Sequence, residues 1–259
     1  MKMTITEMQA IETEILHEVV RICKRNNINY FLHCGSALGA IRHQGPIPWD
    51  PDVDIIVPND EINNFCAAIR RELPEKYYLD YYDTNKSYPC LFPRIGLRGY
   101  STYILHIDIF RLVGISSDKS KQIKFTKIVK YLSWLHFYKI QSEKYHGKFK
   151  LKEGIILRII KLCLLPISTK FIEKIFENYC KQYSFDATEY VTNPNGHYGL
   201  KNILKKSLYG KGTEVKYAGF NVRIPEYYDA YLRHYYGDYM QLPPIEKRNM
   251  NQIYLIGEL

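Results

Sequence analysis

The 259 residues predict a mixed α/β protein, an α+β sheet core with a basic helical block set into it. Three observations predict this. Helix-like and strand-like apolar periods alternate up to about Phe110 in the order helix, strand, helix, strand, helix, strands, which suits a mixed sheet with helices packed on it. Residues 119–184 then switch to helical spacing alone. Hydrophobic residues make up 46% and charged residues 24%, the balance of a chain with a buried core. No linker-like tract or internal repeat divides the chain, so one domain over residues 1–259 is expected, with residues 119–184 as a helical insertion.

Each element has a local reason. Met8, Ile11, Ile15, Val19 and Ile22 recur at three and four, predicting a helix over residues 7–25. Thr6 and Gln9 resemble its capping box, and Asn26-Asn27 ends it. Ile28 to Cys34 reads as a buried strand. Gly35-Ser36 opens a turn into a short helix, Ala37 to His43, which Gly45, Pro46 and Pro48 break. Asp52 to Val57 reads as the next strand, closed by Pro58. A helix follows from Asp60-Glu61 to Leu73, with Ile62, Phe65, Cys66 and Ile69 on one face. Residues 77–82, 91–97 and 103–110 read as strands. The helical block is broken at Gly147, Gly154 and Pro166. Residues 190–212, rich in Asn, Gly and Lys, read as loop. Val215–Ile224 reads as a hairpin around Gly219, and Glu226–Tyr236 as a last helix stopped by Gly237-Asp238.

Charge and cysteine usage narrow the class. The net charge is +9. Between Lys119 and Ser184 there are 15 Lys or Arg against 4 Asp or Glu, a local net of +11 that leaves the rest at −2. Such a block suits an anionic partner, a nucleic acid or an acidic membrane surface. The most apolar stretch, Ile155 to Ile167, carries Arg158 and Lys161 and is too short to span a bilayer. Across Leu151–Ile175 apolar residues alternate with Lys and Arg, as in interfacial helices, so peripheral contact with an anionic membrane is expected. The six Cys form no Cys-x-x-Cys pair, and residues 1–25 are amphipathic and charge-rich rather than a signal peptide. A cytoplasmic location, at the inner face of the plasma membrane, fits both.

The chemistry concentrates between Gly35 and Asp54. On a strand, side chains at i and i+2 share a face, so Asp52 and Asp54 aim two carboxylates at one point, with Asp50 at the strand entrance. A hard divalent cation relieves their repulsion, and Mg²⁺, with Mn²⁺ as substitute, prefers such oxygen ligands plus substrate phosphates. The plain alternative is an acidic turn after Pro48, yet the run Val-Asp-Ile-Ile-Val places an Asp in an apolar strand. Gly35-Ser36 at a helix start offers an anion cradle, and Arg42 a bidentate grip on phosphate. His43 is a candidate for phosphate binding, proton transfer or a helix cap. Asp108, flanked by Ile107 and Ile109, needs a partner in its strand, and a metal supplies one. In a two-metal site it is also placed as a base toward an attacking hydroxyl.

These residues carry a resemblance. Residues 30–57, YFLHCGSALGAIRHQGPIPWDPDVDIIV, resemble the signature of the LicD family of phosphorylcholine transferases and fukutin-type phospho-alcohol transferases. The likeness returns in IDIF at 107–110, IPEYYD at 224–229 and YGDYMQLPP at 236–244. It implies a nucleotidyltransferase-like core. It also implies Mg²⁺-dependent transfer of a phospho-alcohol, phosphocholine foremost, from a CDP-linked donor to a sugar hydroxyl of a teichoic acid, capsule or lipopolysaccharide precursor. By position Asp50, Asp52, Asp54 and Asp108 fall on the metal side. Gly35, Ser36 and Arg42 fall on the donor-phosphate side. Trp49 and the many Tyr permit an aromatic cage for choline.

Two positions depart from the pattern. Pro51 replaces the middle Asp of Trp-Asp-Asp-Asp, at a place that alternation turns away from its neighbours, and Tyr217-Ala218 replaces Phe-Glu. Two other functions compete. A nucleotidyltransferase moving a nucleoside monophosphate would use the same carboxylates. A non-enzymatic nucleic-acid-binding protein would explain the basic block but not the Asp alternation, so no nucleic-acid partner is expected.

Overall fold

Thr4 starts the first helix. Its backbone N–H donates to the Glu7 carboxylate at 2.7 Å and its hydroxyl accepts from the Glu7 N–H at 3.3 Å. This capping box satisfies two otherwise unpaired donors, and it stands two residues before the Thr6–Gln9 pair expected from sequence. The computed structural model describes residues 2–144, 167–248 and 253–255, so the expectation for the stretch 151–166 falls outside the described residues.

Helix α1 spans Ile5–Arg25, and its buried stripe includes Met8, Ile15, Leu16, Val19 and Ile22. Strand β1 (Lys2–Thr4) precedes it and pairs antiparallel with β11 (Ile253–Leu255). That pairing joins the two ends of the chain and carries no local signal. After α1 come β2 (Phe31–Leu32), α2 (Cys34–Arg42), β3 (Val53–Pro58), α3 (Ile62–Glu72), β4 (Tyr77–Asp80), β5 (Arg94–Leu97) and β6 (His106–Ile115). Strands β3 and β6 lie parallel at the centre of a seven-stranded mixed sheet, with β2 beyond β3 and β5 then β4 beyond β6, all antiparallel.

Strand β6 is long because it serves two neighbours. Its first half pairs with β5, and its second half pairs with β7 (Tyr190–Thr192), which pairs with β8 (Leu204–Lys205). The stretch 190–212, expected as loop, thus supplies two sheet strands. They are short and flanked by Asn, Gly and Lys, but Val191, Thr192 and Leu204 are buried.

The basic block is built into the core. Helix α4 (Lys119–Lys144) buries Phe125, Val129, Leu132 and Leu135, and α5 (Thr169–Cys180) buries Ile172, Phe176 and Cys180 in the same continuous cluster. The expected hairpin is β9 (Thr213–Tyr217) and β10 (Phe220–Ile224). Ala218 and Gly219 have φ of 47° and 94°, the positive values a two-residue primed turn requires. The Ala218 N–H donates to Gln44 O at 2.7 Å, so the turn is fastened to the loop behind α2. Helix α6 (Tyr228–Tyr236) ends at Gly237, whose φ of 67° suits a residue without Cβ.

Candidate active site

The parallel register of β3 and β6 places Asp54 opposite Asp108, and the antiparallel register of β6 and β5 places Asp108 opposite Arg94. Alternation then puts Asp52 beside Asp54 and His106 beside Asp108 on the same face. The result is a small lattice of charged side chains at one end of the central strands. Arg94 Nε donates to Asp108 Oδ1 at 2.7 Å, and His106 Nε2 lies 3.1 Å from the same oxygen. Both partners use Oδ1, so Oδ2 is the oxygen Asp108 can offer to an incoming group.

This pairing splits the carboxylates into two kinds. Burial alone raises Asp108, but His106 and then Arg94 outweigh it and hold the group below the usual range. Asp54 has no such partner. Burial first, then Asp108, Asp52 and Asp50, push it well above the ordinary value. Asp52 is exposed at the mouth of the site. Its carboxyl is raised by loss of water to the surrounding protein and further by Asp108, with His106 and Arg94 pulling the other way. Asp50 is pushed up to about 6 by burial and by Asp52. Like charges held this close favour a cation between them. Among the described residues no three His, Cys, Asp or Glu are grouped as a ready-made metal site. The donor set fits an open one, with two carboxylates and the remaining positions left to substrate oxygens and water.

Helix α2 supports this lattice from the side. Ser36 is buried, and its hydroxyl accepts the Asp54 N–H at 2.8 Å, so it fixes the strand that carries the acids. Gly35 sits in the first turn of α2, where an added Cβ would stand 2.7 Å from Asp50 Oδ2. The absent side chain is what admits the Asp50 carboxylate. The start of α2 is held by a buried relay. Cys34 N–H donates to Tyr231 Oη at 3.0 Å, the same oxygen lies 2.8 Å from His33 Nδ1, and Asn193 Nδ2 lies 3.2 Å from His33 Nε2. Burial drops His33 to about 3, so it stays neutral.

A cleft of about 560 Å³ opens from Gly35 and Asp50 and is walled by Arg42, Trp49, Tyr198, Tyr236 and Tyr239. The Arg42 and Arg248 guanidinium carbons lie 5.8 and 5.5 Å from the Trp49 ring centroid. Neither arginine pairs with a carboxylate among the described residues. Arg42 instead donates to Tyr239 O at 2.9 Å and to His43 Nε2 at 3.0 Å. His43 thereby acts as an acceptor, packs edge-on against Trp49 and closes α2 as its C-cap. Two neighbouring guanidinium groups without a counter-ion form a phosphate-type site. A larger cavity of about 840 Å³, lined by Lys205, Lys206, Lys211, Arg223, Asp60 and Glu61, lies apart from these carboxylates. Chemistry rather than size picks the cleft beside Asp50.

The family model described as the LicD/FKTN/FKRP nucleotidyltransferase domain matches residues 27–143, which take in α2, β3, β5 and β6. Beyond that span, the lipopolysaccharide cholinephosphotransferase LicD of Haemophilus influenzae is 25% identical, with 97% of each chain covered. Residues 27–143 thus resemble a LicD-type nucleotidyltransferase domain. The chain's ribitol 5-phosphate transferase relatives, the FKRP proteins of human and mouse, are 39% identical over 22% of this chain and 11% of their own length. An uncharacterized protein of Rickettsia typhi is 33% identical over 44% of this chain and 35% of its own.

Several residues of the candidate site lie outside the sequence expectation. Arg94 and His106 come from strand neighbours that only the register reveals. Arg248 lies far along the chain from Trp49. Glu12 had a visible signal, because it lies between Met8 and Leu16 on the buried stripe of α1. It is 1% exposed, and neither carboxylate oxygen has a hydrogen-bond partner. Burial first, then Asp52, Asp50, Asp54 and Asp108, push its carboxyl well above the usual range.

The raised Asp50 carboxyl predicts a pH effect on the stability of the fold itself. Its folded value is raised from 3.8 to about 6. The associated stability is therefore full below 3.8, declines as pH rises and is gone above about 6. In metal-free protein the Tm advantage of Asp50→Asn over the wild type should grow between about pH 4 and about pH 7. A constant difference across that range would mean that Asp50 titrates as a free aspartate.

Proposed function

We propose that this protein is a metal-dependent phosphotransferase that moves a phospho-alcohol from a CDP-linked donor to a sugar hydroxyl of a cell-surface glycan precursor. The observation that carries this reading is the Asp52–Asp54–Asp108 lattice across β3 and β6, set beside an unpaired Arg42–Arg248 couple. The relatives are named for cholinephosphate and ribitol 5-phosphate transfer, which supports a transferase of substituted phosphate groups.

Asp52 and Asp54 would hold a divalent cation, Mg²⁺ or Mn²⁺, with Asp108 Oδ2 and Asp50 at its margin. When bound, such an ion supplies Lewis-acid stabilisation of charge on the donor phosphates. The chain's own residues do the rest. Arg42 and Arg248 bind donor phosphate oxygens and balance charge that builds during transfer. Ser36 keeps Asp54 in place through its backbone. Arg94 and His106 hold Asp108 ionised, which suits a ligand or an orienting role better than proton acceptance. Tyr198, Tyr236 and Tyr239 with Asp238 wall the far side of the cleft. Aromatic faces beside a carboxylate suit a quaternary ammonium, so phosphocholine ranks above ribitol and glycerol phosphates as cargo.

Thermal-shift screening against CDP-choline, CDP-ribitol and CDP-glycerol with Mg²⁺ tests the donor. The product then separates this reading from the neighbouring one. Release of CMP supports phospho-alcohol transfer, and release of pyrophosphate supports nucleotidyl transfer. No thermal shift with any CDP-alcohol in the presence of Mg²⁺ or Mn²⁺ would remove the proposal.

The acceptor side is read from α4. No helix among the described residues is long and apolar enough to cross a membrane. Along its outer face Lys124, Lys127 and Lys130 lead into exposed Tyr131, Trp134 and Phe137, and Tyr131 stacks on Trp134 at 6.1 Å. Lysines followed by ring side chains suit an anionic bilayer surface. The wild type is expected to co-sediment with vesicles containing anionic lipid and not with neutral ones. Trp134→Glu should weaken that binding severalfold, because it removes an interfacial ring and introduces a charge that the anionic surface repels. Equal sedimentation with both vesicle types would count against membrane docking.

A further inference from the structure

Below the acidic loop lies a carboxylate that the proposed chemistry has not used. Gln9, one helical turn before Glu12, donates from Nε2 to Ile47 O and to Asp50 O, both at 2.8 Å. Those bonds fasten this face of α1 under the loop that presents Asp50 and Asp52. Glu12 follows on the same side, fully buried, with both oxygens unpartnered. From β9, Tyr217 is also fully buried, and its hydroxyl has no partner. The charges that act on Glu12 are those of the four aspartates, Asp52 most strongly and then Asp50, Asp54 and Asp108.

A helix interior can hold Leu or Gln at such a position without strain. A carboxylate left without a donor there, facing four others, is among the most unfavourable placements a core allows. Its cost is relieved by a proton or by a positive charge in the same space. Among the described residues none of the protein's own cations pairs with it.

We propose that Glu12 is a further carboxylate of the cation site, supplied by α1 from beneath the Asp50–Asp54 segment. This deepens the proposed function and rests on its metal-dependent reading. Glu12 then links α1 to the site, so that cation binding tightens α1 and the acidic loop together. The Tyr217 hydroxyl stands close enough to feel the same charges. It offers a neutral oxygen beside Glu12.

The test is Mn²⁺ binding to the whole chain by calorimetry, with Tm measured in EDTA and in Mn²⁺. Glu12→Gln keeps the shape and removes the charge. It is expected to weaken Mn²⁺ binding about tenfold or more, as supporting residues of metal sites do. At the same time its EDTA-form Tm should equal or exceed that of the wild type, so the Mn²⁺-induced rise shrinks. A purely structural Glu12 gives the opposite pair of results, a lower EDTA-form Tm and unchanged Mn²⁺ affinity, and either of these overturns the inference. Failure of the wild type itself to bind Mn²⁺ instead strikes the metal-dependent reading beneath it.

Discussion

Asp54→Asn is expected to lower transfer by about a thousandfold or more while the protein stays folded and its metal-free Tm rises. The two effects share one cause. Asp54 is held among like charges with no donor to its side chain, and its backbone N–H remains bonded to Ser36 whichever residue stands there. Replacing the carboxylate with an amide removes repulsion from Asp108, Asp52 and Asp50 and keeps the strand in register. It also removes the carboxylate proposed to hold the cation, which faces Asp108 across the parallel pair. Asp52→Asn should lose activity for the same reason with a smaller gain in Tm, because Asp52 is exposed. Steady-state assay of CMP release together with a thermal melt reads both. Near-normal turnover in Asp54→Asn would sink the assignment of the carboxylate lattice as the reactive centre.

That expectation could be framed from sequence because Asp52, Asp54 and Asp108 obey a two-residue period inside apolar strands. The period says that these side chains share a face with their own strand neighbours. It does not say which strand stands beside which. Register is set by the pairing of the whole sheet. For that reason Arg94 opposite Asp108, and His106 beside it, emerge only from the fold. The same limit explains Ser36. A Gly-Ser turn before a helix reads as an anion cradle, yet here the hydroxyl is spent on the Asp54 backbone, and the space beside Gly35 holds Asp50. Elements were legible where many residues repeat one pattern, as in α1 and α3. They were not legible where two or three residues pair with a distant partner, as in β1, β7, β8 and β11. Glu12 is the instructive case between these. Its position on the α1 stripe was readable, but its meaning depends on the acidic loop folding over that turn of helix.

A buried charge pair away from the candidate site gives the second large effect. Arg111 on β6 is buried, and its guanidinium pairs with Glu177 of α5 at 2.6 Å while also reaching Tyr81 and Asn59 Oδ1. Three residues earlier the same strand carries Asp108, so this pair ties α5 to the strand that carries the candidate site. Glu177→Ala leaves the guanidinium buried without its counter-ion. The expected loss is about 3–5 kcal/mol, which for a chain of this size is a fall in Tm on the order of 10 °C. Arg111→Met combined with Glu177→Leu should recover most of that loss, because burying neither charge is often as stable as burying a matched pair. The pH dependence has a definite sign. Burial alone raises Glu177, but Arg111 outweighs it and holds the carboxyl below its ordinary 4.5. Its contribution is therefore full above 4.5 and is lost as pH falls through the lowered folded value. Chemical denaturation of the two single variants and the double variant, near neutral pH and again near pH 3, measures the coupling directly. A double variant no more stable than Glu177→Ala would show that β6 and α5 are joined by the geometry of this pair rather than by apolar packing around it.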